Sequence, residues 1–185
     1  MSYCDYVNTL PLQQDEVNKI YHDHHYGYPI SDDNQLFERL VLEINQAGLS
    51  WTLMLKKQQN FRNAYSQFEI ATVAAYTDVD RERLLNDAGI VRNKLKVNAA
   101  IYNASQILQL QQQYGSFKNW LDYHHPRPLT DWVKLFKKQF KFVGEEIVNE
   151  FLMSCGYLQG AHQPDCPIYA KILASEPAWH HNKKA

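Results

Sequence analysis

Cys4 and His22 near one end of the chain, with His162 and Cys166 near the other, make a two-cysteine, two-histidine set. That is a donor combination for a tetrahedral zinc ion. His162 and Cys166 are four apart, a spacing that on a helix stacks two side chains on one face, one turn above the other. Cys4 and His22 are too distant in sequence to clip a local loop and could join the set only in a folded chain. An ion closing all four would tie the first turn of the protein to the last and add its binding free energy to folding. Four protein donors leave no position for water, so such a zinc is structural, and a zinc hydrolase is not expected. The competing reading is coincidence, because eight histidines and three cysteines supply some plausible quartet by chance.

Glu43 is the second residue that asks for a chemical reason. At about a hundred degrees per residue it falls nearly in register with Leu36 and Leu40, at the edge of an apolar arc shared with Phe37, Val41, Ile44 and Ala47, while Glu38 and Arg39 point away from it. A carboxylate on a buried face is costly unless it is paired, neutralised or met by a ligand. Beyond it runs Gln46-Ala47-Gly48-Leu49-Ser50-Trp51, a turn with an apolar tip and an aromatic plane, and upstream Tyr21, Tyr26 and Tyr28 surround His22. Rings beside a carboxylate suit a flat, electron-poor heterocycle, whose amino groups the carboxylate can bind. The alternative is aromatic core with Glu43 in an ion pair.

A third element, Asp87-Ala88-Gly89-Ile90-Val91-Arg92-Asn93-Lys94-Leu95-Lys96, places a glycine turn and a helix start beside three cations. Backbone amides and positive charge there can hold a phosphate, or the segment is an ordinary solvated helix start. Lys56, Lys57 and Arg62 could extend the surface, as could Lys134, Lys137, Lys138 and Lys141. The whole chain, at a formal charge of −1, has no global pull on nucleic acid, so binding would rest on such a local patch. Three cysteines, no apolar leader and no run of eighteen apolar residues point to reduced thiols in a cytoplasmic protein without a membrane span, with Cys155 a buried small hydrophobe.

These residues must be positioned by helices, since the periodicity is helical nearly throughout and strand signals are absent. The class is all-α. Asp32, followed three residues later by Gln35, opens a helix that Gly48 ends. Further helices are expected over 53–68, 71–76, 79–86, 95–112, 129–138 and 144–155. Tyr123 to Pro128 reads as a loop, and 177–185 as a frayed tail. At 185 residues the chain is expected to form one domain of two helical lobes.

Tyr21-His22-Asp23, Leu36-Phe37-Glu38, Leu42-Glu43, Gln46 to Trp51, Leu55-Lys56-Lys57, Asp87 to Ile90, Phe140 to Gly144, and Phe151-Leu152-Met153 followed by Gly156 together resemble the bacterial 3-methyladenine DNA glycosylase I family. The resemblance runs from Cys4 to Cys166 in order. It implies a helix-hairpin-helix glycosylase fold with a zinc clasp joining the terminal segments. It also implies a monofunctional, monomeric enzyme whose partner is duplex DNA carrying alkylated bases and that hydrolyses the N-glycosidic bond of a flipped-out alkylated adenine. Carried over residue by residue, Cys4, His22, His162 and Cys166 match the zinc ligands. Glu43 matches the carboxylate that recognises the base and carries the catalytic role, with Tyr21, Trp51, Tyr26 and Tyr6 in the base pocket. Gly48 and Leu49 match the turn that enters the duplex, and Gly89, Arg92, Lys94 and Lys96 the phosphate-binding hairpin.

The chain departs from the family pattern at several positions. Tyr6 and Tyr26 stand where tryptophans are usual, Asn18 where a pocket tyrosine is often found, Ile44 where a glycine commonly follows the carboxylate, and Glu150 where a small residue is usual. Gln159-Gly160-Ala161 replaces an asparagine-aspartate lead into His162. These changes keep open a second reading, a relative that binds DNA or a nucleobase without excising 3-methyladenine.

Overall fold

A computed structural model describes residues 2–9 and 16–181. In chain order the helices are α1 (Tyr3–Thr9), α2 (Glu16–His24), α3 (Asp33–Gln46), α4 (Trp51–Ala64), α5 (Ile70–Ala74), α6 (Asp78–Asn86), α7 (Lys94–Tyr114), α8 (Phe117–His124), α9 (Leu129–Gln139), α10 (Glu145–Ser154), α11 (Tyr169–Ala174) and α12 (Ala178–His181), with a 3-10 turn at Ser66–Phe68. No strand occurs among the described residues, as the periodicity requires.

Helix α3 is the axis of the molecule. Its N-cap Asp32 accepts from Gln35 N at 2.9 Å, and Leu36, Phe37, Leu40, Val41 and Ile44 are at most 1% exposed. It packs against α4, α7, α8 and α10, so its apolar residues are enclosed over most of the circumference and even Glu38 and Asn45 are buried. Deleting a ring such as Phe37 from this core would cost roughly 3–5 kcal/mol. Phe117, Trp120, Phe136, Phe140 and Phe151 continue the core on the α8, α9 and α10 side.

The structure adds one helix that periodicity does not reveal. α8 begins at Ser116, whose hydroxyl accepts from Asn119 N, and the distant Asp33 carboxylate accepts from Phe117 N at 2.7 Å and Lys118 N at 3.0 Å. Half of its cap therefore comes from α3, which no local pattern records. Other boundaries move by a few residues: α4 starts at Trp51 because Ser50 is its cap, and the helix expected over 53–68 stops at Ala64. There Ser66, Gln67 and Phe68 take positive φ and turn the chain.

The segment expected to fray is ordered as far as His181. Trp179 N donates to Gly156 O, and the Trp179 ring packs with Tyr28 and Tyr169 on the apolar cluster of Cys4, Cys166, Ile168 and Ile172. The remainder of that segment, 182–185, lies outside the described residues. No helix among the described residues is long and apolar enough to cross a membrane.

Candidate active site and metal centre

The quartet converges. The four donor atoms of Cys4, His22, His162 and Cys166 lie within 4.8 Å of one another, and all four residues are buried. Cys4 Sγ is 3.7 Å from His162 Nδ1, and Cys166 Sγ is 3.6 Å from His22 Nε2 and from His162 Nδ1. Metal bonds of about 2.3 Å to sulfur and about 2.0–2.1 Å to nitrogen, meeting at the tetrahedral angle, give a sulfur-to-nitrogen edge of about 3.5–3.6 Å. The observed spacings fit one ion.

The outer partners fit as well. His22 Nδ1 donates to Asp23 Oδ1 at 2.7 Å, and His162 Nε2 donates to the Tyr26 carbonyl at 2.8 Å. Each ring therefore turns its unprotonated nitrogen toward the centre. Burial above all, with Cys166 beside it, pushes the Cys4 thiol up to about 11. A cation between the sulfurs reverses that preference in favour of thiolate. This donor set could hold a metal ion.

His162 and Cys166, whose spacing would stack them on a helix, do not lie on one. Residues 160–168 run as turns, with Cys166 N donating to Gln163 O at 3.0 Å, because Pro164 and Pro167 interrupt any helical ladder. Gly27, at φ +84°, lets the chain after α2 pass against this loop; a Cβ there would stand 2.8 Å from Ala161 Cβ and 3.3 Å from the His162 ring.

Next to the metal centre lies a cavity of about 570 Å³. Tyr21, Tyr26, Glu43 and Trp51 line it, as the sequence leads one to expect, together with Tyr3, Gln46, Asn149, Glu150 and Gln163. Tyr21 and Trp51 meet with ring centroids 5.1 Å apart, and Tyr3 stands edge-on to Tyr26 at 5.4 Å. Tyr6 does not line the cavity. It is 37% exposed and stacks on Tyr3, three residues earlier on the same face of α1, and it is Tyr3 that reaches the cavity wall. The only signal for Tyr3 was that spacing from Tyr6.

Glu43 is 5% exposed, and among the described residues its carboxylate enters no hydrogen bond or ion pair. Burial drives its pKa up to about 8, opposed by Arg39 and assisted by Glu150. Arg39 does not simply point away, as the helical wheel suggests. Its guanidinium donates to Ser154 O at 3.2 Å and lies 4.9 Å from the Tyr21 ring centroid, close enough for its charge to act on Glu43 one turn later. Glu38 is also inside, paired with Arg62 at 2.9 Å and bonded by Gln58 at 2.6 Å. Two further cavity-wall groups, Tyr21 Oη and Trp51 Nε1, are buried with no partner.

Of the departures, Tyr26, Glu150, Gly160 and Ala161 line the cavity, and only Tyr26 and Glu150 bring new polar side-chain atoms to it. Ile44 is 1% exposed in the core, and Asn18 bonds Thr52 Oγ1 at 2.7 Å and Tyr3 Oη at 2.9 Å, joining α1, α2 and α4. Neither residue lines the cavity, although Asn18 holds the hydroxyl of Tyr3, which does.

At the cavity mouth the α3–α4 turn presents Leu49 at 37% exposure. Gly48 adopts φ +83°, Leu49 N donates to Gln46 O at 2.7 Å, and Gln46 Nε2 donates back to Leu49 O at 2.9 Å, so the tip is braced from one residue. Gly89 sits in a crowded turn, its N donating to Asp87 Oδ1 and its carbonyl accepting from Lys57 Nζ and Asn60 Nδ2. Arg92 and Lys94 are exposed beside it. Lys96 is a correction: it is 5% exposed, and Nζ donates at 2.9 Å to both Asn45 O and Ala47 O, closing the C-terminus of α3 rather than facing a phosphate. Lys57 and Arg62 are likewise engaged internally.

The described residues form an all-helical fold that sets an aromatic, carboxylate-lined cavity beside an exposed apolar turn. The methyladenine glycosylase family model matches residues 12–132, and the chain belongs to that family. DNA-3-methyladenine glycosylase 1 of Escherichia coli is 36% identical over an alignment covering 91% of this chain and 97% of its own. The 3-methyladenine DNA glycosylase I of Staphylococcus aureus superposes with a TM-score of 0.76 at 35% identity, covering 84% of this chain and 93% of its own. A tyrosine-to-phenylalanine variant of a 3-methyladenine DNA glycosylase I, solved in complex with 3-methyladenine, superposes with a TM-score of 0.79 at 33% identity, covering 91% and 97%.

Proposed function

We propose that the cavity receives 3-methyladenine extruded from duplex DNA and that the protein is a monofunctional DNA-3-methyladenine glycosylase. The observation that carries this reading is Glu43, a buried carboxylate without a protein partner, beside the Tyr21–Trp51 ring pair. A ring-methylated adenine in DNA is already cationic. When its N-glycosidic bond breaks, the bonding electron pair leaves with the base and neutralises it, water supplies the new oxygen at the sugar, and a proton goes to solvent. No strong acid is needed, so the protein's work is extrusion, stacking and selection.

Each group has a role in that scheme. Trp51 and Tyr21 present ring faces to the base, and Glu43 accepts from its exocyclic amine while its charge favours a cation. Because Glu43 rests near pKa 8 in the empty cavity, a cationic base binds with loss of the Glu43 proton. Leu49 fills the gap the base leaves in the stack, and Arg92 and Lys94 hold phosphate. Zinc is the ion that suits Cys4, His22, His162 and Cys166, and when bound it supplies a structural crosslink.

The test is chromatography of bases released from methylated duplex DNA. Wild type should release 3-methyladenine and Glu43→Gln should do so roughly a hundredfold more slowly, the scale of losing one well-placed electrostatic partner. Equal rates would remove Glu43 from the mechanism, and no release by metal-loaded wild type would favour binding without excision.

A further inference from the structure

Two substitutions that are separate in the sequence meet in the cavity. Tyr26 adds a hydroxyl where a tryptophan ring has none, Glu150 adds a carboxylate where a small side chain is usual, and Tyr26 Oη donates to Glu150 Oε2 at 3.1 Å. Both residues line the cavity that holds Glu43. Glu150 lies on the face of α10 that also presents Glu146, Ile147, Asn149 and Met153 to that cavity. Among the described residues no lysine or arginine pairs with Glu150, and its Oε1 accepts no hydrogen bond.

We propose that Glu150 is a specificity-determining residue, a second carboxylate that Tyr26 holds in place and that biases the cavity toward cationic purines and against neutral ones. The inference rests on the base-excision reading above and adds to it a second source of the charge discrimination that Glu43 supplies. A single negative group close to a ligand distinguishes a cation from a neutral molecule of the same shape by Coulomb attraction, which is strongest where water is excluded. Glu43, Glu150 and the more exposed Glu146 line the cavity and no lysine or arginine does, with Arg39 acting on Glu43 from beside it, so a cationic base supplies the missing positive charge. A purely structural role for Glu150, filling the space beside the smaller Tyr26 ring, predicts no charge dependence. The two roles can be separated.

The probes are 3,9-dimethyladenine, a fixed cation that imitates the alkylated nucleoside, and neutral 9-methyladenine, each titrated by quenching of tryptophan fluorescence. Glu150→Gln keeps the size and the acceptor for Tyr26 but removes the charge. It is expected to weaken the cation about tenfold and leave the neutral base within about twofold, collapsing the ratio of the two dissociation constants. Tyr26→Phe, which frees the carboxylate, should lower the same ratio by a smaller factor. An unchanged ratio in Glu150→Gln, or equal weakening of both ligands, would overturn the proposal. Wild-type release of 3-methyladenine from DNA is measured alongside. Its absence marks failure of the base-excision reading itself, whereas release with an unaltered ratio in the variant marks failure of Glu150 alone.

Discussion

The Cys/His quartet and the aromatic cavity share α1, α2 and the loop after α10, yet their polar atoms are in opposite states. At the quartet both outer ring nitrogens have partners, Asp23 and the Tyr26 carbonyl, and all four donors face one another. In the cavity, Tyr21 Oη and Trp51 Nε1 are buried without partners, and Glu43 has no ion pair or hydrogen bond among the described residues. A centre completed by the protein's own groups can serve the fold. Groups left unsatisfied carry a standing cost that a ligand can repay by binding. The contrast separates a part that holds the molecule together from a part that acts on something else.

The sharpest way to break this contrast is to exchange the consequences of mutating each side. Cys166→Ser should lose the metal, measured by elemental analysis, and lower Tm by more than about 10 °C, since an ion held by all four donors would add its binding free energy to folding. Normal metal content in that variant would dissolve the clasp. Glu43→Gln should behave in the opposite sense, keeping the metal while excision falls.

A smaller effect sharpens the cavity side. Glu43 has a folded-state value of about 8 against an ordinary 4.5, so between those values the native state holds more protons than the unfolded chain. Its contribution to stability is neutral below that window and becomes increasingly unfavourable as pH rises through it. Glu43→Gln should therefore raise Tm by a few degrees at pH 8 and leave it unchanged at pH 4, a comparison that calorimetry can make. A variant that is destabilised at pH 8 would mean that the carboxylate is stabilised in place by the protein.

The least dramatic test concerns the surface. Reversing charge at Arg92 and Lys94 should weaken duplex binding and reduce its salt dependence by roughly two counterions, whereas Lys96→Met should cost stability with little change in that slope. If Lys96→Met instead reproduces the salt effect, its bonds to Asn45 and Ala47 are not maintained on DNA.

Much of the fold was legible because its helices carry their own instructions. Asp32 and the apolar arc of α3 predict that helix within a residue or two, and the observed bond to Gln35 N is the local reason. α8 was not legible, since Asp33, more than eighty residues away, supplies part of its cap. The same division runs through the candidate site. Tyr21, Glu43 and Trp51 declare themselves by residue type beside a marked helix and turn. Tyr3 replaces Tyr6 at the wall and Lys96 turns inward because those outcomes depend on how α1 and α7 pack.

The sequence by itself determined that the chain is helical, that two cysteines and two histidines able to ligate a metal stand near its two ends, and that an acidic residue lies on a buried helix face. These follow from periodicity and residue chemistry, which are local or countable. Only the tertiary structure decided that the four donors converge to within 4.8 Å of one another, with His162 and Cys166 on a proline-broken turn. It also decided that Asn18 and Ile44 lie outside the cavity lining while Tyr26 and Glu150 meet inside it. Those outcomes depend on distances between segments far apart in the chain, which packing sets and spacing along the sequence does not.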